Sequence, residues 1–183
     1  VNVGVGKANL PVGSMFLLGI LAGAFIGFGG LGNTVASQTF ANIDPGVAKL
    51  IGAAVFPVGL MLVVICGAEL FTGNNLMTLA LMNNKITGGQ MVKNWCVVWV
   101  GNLVGSIALA LIVFYGDVLT GDAATKAIAI AEGKAGLDIM TMILRGILCN
   151  ILVVLAVWMA TSAQDIISKI FSCWFPIMLF VLC

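Results

Sequence analysis

The chain has 183 residues, of which 61% are hydrophobic and only 8% charged, with a formal net charge of +1 and no histidine. A soluble domain carries about 45–50% apolar and about 25% charged residues, so this composition cannot build a water-facing surface and reads as an integral membrane protein. The small net charge argues against nucleic acid as a partner.

In chain order, Val1 to Pro11 reads as a loop or surface segment carrying Lys7. Val12 to about Leu31 is the first span: roughly 20 apolar residues at about 1.5 Å each match a hydrocarbon core of about 30 Å. Its glycines include Gly19, Gly23 and Gly27, four apart. Such a stripe lets another backbone approach closely, and a packing face is preferred here to a pore wall. Gly32 to Pro45 is a polar connection. The second span follows, with a kink expected at Pro57, which cannot donate a backbone hydrogen bond.

That span then meets Cys66-Gly67-Ala68-Glu69-Leu70-Phe71-Thr72-Gly73-Asn74-Asn75, and an apolar patch, Leu76 to Met82, resumes at once. A carboxylate, a hydroxyl, two glycines and two amides without a loop between them read as a membrane helix that breaks and restarts. Irregular backbone at membrane depth survives only where protein or a water-filled cavity satisfies it, and such breaks are where transporters place ions. The break is expected over Gly67–Asn75, with Gly67, Glu69, Gly73 and Asn74 as its structural residues. Glu69 is expected to accept backbone N–H groups there, because an unpaired carboxylate at that depth is costly. Thr72 is expected as a neutral donor to a passing anion, as a cap for a half-helix at Leu76–Met82, or as both.

The third span runs from about Met91 to Tyr115, with Asn94 and Asn102 inside it and Trp95 and Trp99 near its start, where aromatic residues suit an interface belt. Asp117 to Asp138 reads as a polar connection in which Lys134, between glycines, has the look of a solvated lysine. The fourth span covers about Ile139 to Ala160, with Arg145 and Asn150, and a fifth opens at Ile170 after a connection from Thr161 to Lys169. Lysines at 7, 85, 93 and 169 on the side of the amino end outnumber those at 49, 126 and 134 on the other by four to three, which barely favours a cytoplasmic amino end.

The five cysteines, Cys66, Cys96, Cys149, Cys173 and Cys183, lie in or beside apolar runs and form no CxxC pair. Packed free thiols fit them better than a metal site or a disulfide framework, and no cofactor is implied. The first run spans rather than being cleaved as a signal peptide. The chain lacks an initiator Met and stops inside an apolar run, so it is expected to be part of a longer protein: a single channel domain over residues 1–183, cut in its fifth span.

Two local similarities link its halves. Leu18-Gly19-Ile20-Leu21-Ala22-Gly23 resembles Arg145-Gly146-Ile147-Leu148-Cys149-Asn150, at an offset of 127 residues. Phe56-Pro57 and its continuation resembles Phe175-Pro176, at an offset of 119. Three spans separate equivalent helices, and an odd number reverses direction. That is an inverted repeat, the arrangement that places a site near the midplane between broken helices, and the fifth span is then expected to break just after Cys183.

Phe56-Pro57-Val58-Gly59-Leu60, Cys66-Gly67-Ala68-Glu69-Leu70-Phe71-Thr72, Lys93-Asn94-Trp95 and Gly101-Asn102-Leu103-Val104-Gly105, with Asn150 to Trp158 and Phe175-Pro176, resemble the formate/nitrite transporter family. The resemblance covers the whole chain. It implies an all-α, aquaporin-like bundle of six spans, about four and a half of them present, in a prokaryotic inner (plasma) membrane. It also implies a homopentamer with a pore for small monovalent anions (formate, nitrite or hydrosulfide) within each protomer and possible proton linkage; independently, without His, a CxxC or a paired-carboxylate motif the residues offer no acid/base or metal constellation, so no enzymatic activity is expected. In that family Phe56 and Phe180 match an outer aromatic constriction. Leu60 and Leu70 match an inner apolar one, with Val153 nearby and Phe71 assigned to the same wall. Thr72 matches a hydroxyl facing the central chamber, and Lys134 and Asn150 its buried lysine and amide. The resemblance thus turns Lys134 inward, against the solvated reading. The family's central histidine, on the second broken helix, has no counterpart among these residues and is expected just beyond Cys183. An aquaporin-like pore for neutral solutes is the alternative, although paired Asn-Pro-Ala motifs are absent.

Overall fold

Four polar residues at the heads of apolar runs start the long helices. Asp44 accepts hydrogen bonds from the N–H groups of Gly46 and Val47, Asp138 from Thr141 and Asp165 from Ser168. Thr87 accepts from Gln90 N–H while the Gln90 side chain accepts from Thr87 N–H, a reciprocal capping box. Each cap satisfies donors that a helix start leaves without partners.

The computed structural model describes the backbone of residues 1–183 and every side chain except that of Ala41. The described residues are helical or irregular, without a strand. The helices are α1 (Asn2–Ala8), α2 (Val12–Ser37), α3 (Pro45–Val55), α4 (Val58–Ile65), α5 (Phe71–Asn74), α6 (Met77–Met82), α7 (Gly88–Tyr115), α8 (Gly121–Ala135), α9 (Ile139–Ser162) and α10 (Ile166–Leu182), with a 3-10 turn at Phe40–Asn42. Four segments are long and apolar enough to cross a membrane: α2, α3 with α4, α7 and α9.

Several boundaries differ from the sequence expectation. The amino-terminal segment is helix α1 rather than a loop, because Ala8 has an apolar partner in α6, where Met77 and Ala80 are fully buried beside it. The polar stretch after Leu31 stays helical to Ser37, since the Thr34 and Ser37 hydroxyls bond back to the carbonyls of Gly30 and Asn33 within α2. The connection before α9 contains helix α8. Its alanines favour helix, and Asp122 and Lys134 stand at the ends where the helix dipole favours them. The fifth span begins at Ile166, not Ile170, because Asp165 caps it.

Helices α2 and α7 lie side by side and parallel. A Cβ added at Gly19 would meet Gly101, one at Gly23 would meet Asn102, and one at Gly27 would meet Leu109, so the two numberings rise together. The approach is closest in the middle, where a Cβ on Gly23 would stand 2.0 Å from the Asn102 carbonyl oxygen and one on Gly105 1.9 Å from that of Ile20. The glycine stripe is therefore a packing face, where backbone meets backbone without side chains between.

Because α7 runs with α2, the chain from α3 to α6 is one return crossing, and α9 then runs against α2, as an inverted repeat requires. Helix α3 stops at Val55 and α4 restarts at Val58, as expected of Pro57. Pro176 instead lies inside a continuous α10. Between these helices an apolar core joins Leu60, Val63 and Ala68 to Val153, Ala156, Cys173 and Ile177.

Candidate functional site

The second span unwinds at Cys66–Leu70. Gly67 adopts φ 74°, a left-handed conformation that costs glycine nothing. Ala68 N–H then reaches back to the Val63 carbonyl at 2.9 Å, closing α4 with a Schellman-type turn. Leu70 is extended (φ −108°, ψ 125°) and α5 starts at Phe71. The interruption is thus in two parts, Cys66–Leu70 and a second turn at Asn75–Leu76, with the single-turn α5 between them, and the chain restarts as α6 at Met77–Met82, close to the expected Leu76–Met82. The chain is helical again at Thr72, so Thr72 sits in the first turn of α5 and does not cap a half-helix at Leu76–Met82; no side-chain cap is formed at either restart.

Asn102, in the middle of α7, holds the break open. Its amide donates to the carbonyls of Gly19 (2.8 Å) and Glu69 (2.9 Å), and its oxygen accepts Phe71 N–H at 3.0 Å. Glu69 N–H donates to the Leu18 carbonyl at 3.2 Å. Neighbouring helices thereby take over backbone groups that unwinding would leave unpaired at membrane depth. The N–H groups of Thr72 and Gly73 find no partner among the described residues.

The Glu69 carboxylate is 4% exposed. Its partners are side chains rather than the N–H groups expected: Lys7 Nζ at 2.5 Å and Asn74 Nδ2 at 2.7 Å. Asn74 also donates to Asn94 Oδ1 at 2.8 Å, Asn94 donates to the Lys7 carbonyl at 3.3 Å, and Trp95 Nε1 donates to the Asn74 carbonyl at 3.0 Å. Glu69, Asn74 and Asn94 are all buried. A buried carboxylate is tolerable when a cation and further hydrogen bonds meet it together, and this one has both.

The apolar candidates separate into two places. Phe56, Leu60, Leu70, Val153 and Phe180 join one cluster, in which Phe56 and Phe180 stand edge to face with centroids 6.1 Å apart. Phe71 lies apart from them, its ring edge-on to Trp95 at 6.1 Å. Gly73 packs against Val157. Asn150 accepts from Asn75 Nδ2 at 2.7 Å and donates to the Gly146 carbonyl at 2.9 Å. Lys134 occupies the last turn of α8 and is exposed, with no ion pair among the described residues. A small cavity of about 90 Å³ beneath the break is lined by Lys7, Gly73, Asn74, Met77 and Val157.

Three residues of this site have no assigned role in the sequence reading: Lys7, Asn94 and Asn102. Their signal was present in part, since an amide inside an apolar span needs a partner and α7 carries two. Lys7 gave none, because its partner lies 62 residues away.

The formate/nitrite transporter family model matches residues 1–183. The chain is 41% identical over 186 residues to the uncharacterized transporter YrhG of Bacillus subtilis (strain 168), covering 99% of this chain and 69% of that protein. It is 39% identical over 183 residues to the formate channel BtFdhC of Bacillus thuringiensis, covering 99% and 71% respectively. With the formate channel FocA of Escherichia coli (strain K12) the identity is 36% over 183 residues, covering 98% of this chain and 64% of FocA. A solved pentameric formate channel with formate bound superposes with a TM-score of 0.87 at 38% identity, over 93% of this chain and 68% of that one.

Proposed function

The chain belongs to the formate/nitrite transporter family, and we propose that it forms a membrane channel passing small monovalent anions, formate foremost, through a pore inside each protomer of a homopentamer. The single observation that carries this reading is the pair of unpartnered N–H groups at Thr72 and Gly73, held at the interruption of a membrane-spanning helix. An anion leaving water needs replacement donors, and fixed backbone dipoles supply them without reorganising. The Thr72 hydroxyl adds a neutral donor, strong enough to orient the anion and weak enough to release it.

In this reading Phe56 and Phe180 form the outer constriction, and Leu60, Leu70 and Val153 the inner one. Both exclude bulk water and larger solutes. Lys134 and Asn150 supply positive field and an amide to the chamber between them. Phe71 supports the wall through Trp95. The Lys7 partner of Glu69 is part of the design. An unpaired carboxylate beside the anion's path would repel it, and pairing with Lys7 cancels most of that repulsion.

The test is formate flux into liposomes containing the full-length protein, with a pH gradient imposed in a second series to read proton linkage. Flux clearly above that of empty vesicles is expected. Flux no faster than in empty vesicles refutes the reading, and swelling in glycerol without anion flux would put a neutral-solute pore in its place.

A further inference from the structure

Asn74 is 1% exposed, and both hydrogens of its amide are committed: Nδ2 donates to Glu69 Oε2 at 2.7 Å and to Asn94 Oδ1 at 2.8 Å. The Asn94 amide is itself oriented by its bond to the Lys7 carbonyl. Turning the Asn74 amide over would press its oxygen against two other oxygens, so its neighbours fix which way it points. That leaves Asn74 Oδ1 buried, with no donor to meet it among the described residues. A buried acceptor without a donor keeps the whole penalty of leaving water, and folded proteins leave few such groups.

Asn74 lines the cavity of about 90 Å³ enclosed by α1, α5, α6 and α9, and Lys7 and Thr161 share its wall. Neither serves Asn74 directly. Lys7 gives one of its three N–H groups to Glu69 and does not reach Asn74 Oδ1. Thr161 spends its only hydrogen on the Val157 carbonyl at 2.8 Å and has lone pairs alone left to offer. The missing donor therefore has to be a small group that enters the cavity. One water needs about 10–15 Å³ of such space and two to four polar partners, and the cavity supplies both.

We infer that this cavity is a hydration site. A bound water donates to Asn74 Oδ1, accepts from a second Lys7 N–H and turns its other hydrogen to Thr161 Oγ1. Three partners are the usual number for a buried water. The water joins α1, the interrupted helix and α9 at one point, and completes the network around Glu69. The same chemistry turns an anion away. Asn74 presents an oxygen, and the charge of Lys7 is already met by Glu69. The site thus takes a neutral donor and stands whether or not the pore passes anions.

Two measurements on the full-length protein in lipid nanodiscs test this. In X-ray radiolytic footprinting, hydroxyl radicals formed from bound water oxidise the methionines beside it. Met77 is 1% exposed and lines the cavity, whereas Met15 is 0% exposed and does not. Met77 is expected to be oxidised at least tenfold faster than Met15, and comparable rates at the two overturn the inference. In a density map sharp enough to show ordered water, a peak is expected about 2.5–3.0 Å from Asn74 Oδ1, at the same place with and without added formate. An empty position, a protein donor from outside residues 1–183, or a peak displaced by formate overturns it.

Discussion

The Lys7 ammonium lies 2.5 Å from a Glu69 carboxylate oxygen and so ties the first helix of the chain to the interruption of the second span. Removing one partner of a buried pair costs about 3–5 kcal/mol, because the remaining charge is stranded. Lys7 is 22% exposed, so the loss for Lys7→Met is expected near the lower end, about 3 kcal/mol. The double variant Lys7→Met with Glu69→Gln should recover most of it. Thermal unfolding of the full-length protein in detergent measures both. A double variant no more stable than the single one would mean that Glu69 draws nothing from Lys7.

Asn102 makes three hydrogen bonds to backbone groups: the Glu69 carbonyl inside the break, Phe71 N–H just after it and the Gly19 carbonyl of α2. Asn102→Ala strands Phe71 N–H and the Glu69 carbonyl, at about 1–3 kcal/mol for each buried group left without a partner, while the Gly19 carbonyl keeps its bond within α2. The variant should lose both thermal stability and anion flux. Unaltered flux would show that the break keeps its shape without the clamp.

Gly23→Ala would push a methyl group to 2.0 Å from the Asn102 carbonyl oxygen, a backbone atom that cannot swing aside. Helices α2 and α7 must then separate, and the variant is expected to fail to accumulate in the membrane. Gly13→Ala, on the same helix in open space, should accumulate normally. Comparing the two by quantitative blot isolates close approach from helix propensity.

Thr72 sits at the break without a side-chain capping bond. Thr72→Val keeps its shape and should leave stability unchanged, yet lower formate flux about tenfold if the hydroxyl donates to the anion, because a hydrogen bond to a charged group is worth about 1.5–3 kcal/mol. Lys134→Gln, exposed at the end of α8, should likewise reduce flux without affecting assembly. Unchanged flux would return Lys134 to a solvated role.

The Thr141 hydroxyl, and then its N–H, hold the Asp138 carboxyl below its usual range at the start of α9. A carboxylate with a depressed folded pKa stabilises above its unfolded pKa, and that contribution is lost as pH falls through the folded value. The first turn of α9 should therefore fray in acid below the ordinary aspartate range. Amide exchange at Met140–Met142 should speed up there in the wild type and show no such step in Asp138→Asn.

The break was legible in the sequence because a carboxylate and two glycines cannot continue an apolar helix. Its boundary was not, since Asn102, 31 residues from Phe71, decides where α5 begins. Pro57 announced its interruption through the missing N–H. The same Phe-Pro pair at 175–176 leaves α10 unbroken, so the residues alone do not give the outcome. Short helices α1 and α8 were misread as loops because polarity and glycine outweighed, respectively, the docking of Ala8 on α6 and the alanine run of α8. The pairing of Lys7 with Glu69 joins residues far apart in sequence, which periodicity cannot register. Phe56 and Phe180 were matched only through the resemblance, and the structure puts them in contact.

The parallel course of α2 and α7 has a mechanical consequence. Four short helices, α3 to α6, amount to one trip back across the bilayer, jointed at Pro57, at Gly67 and at Asn75–Leu76. Each joint removes rungs from the ladder that would stiffen an unbroken rod. The segment between the first two, α4, is thus a strut hinged at both ends, and it carries Leu60. In the proposed channel that strut sets where Leu60 stands, because Gly59 against the α2 backbone and the buried Val63 fix it in the core beside α9.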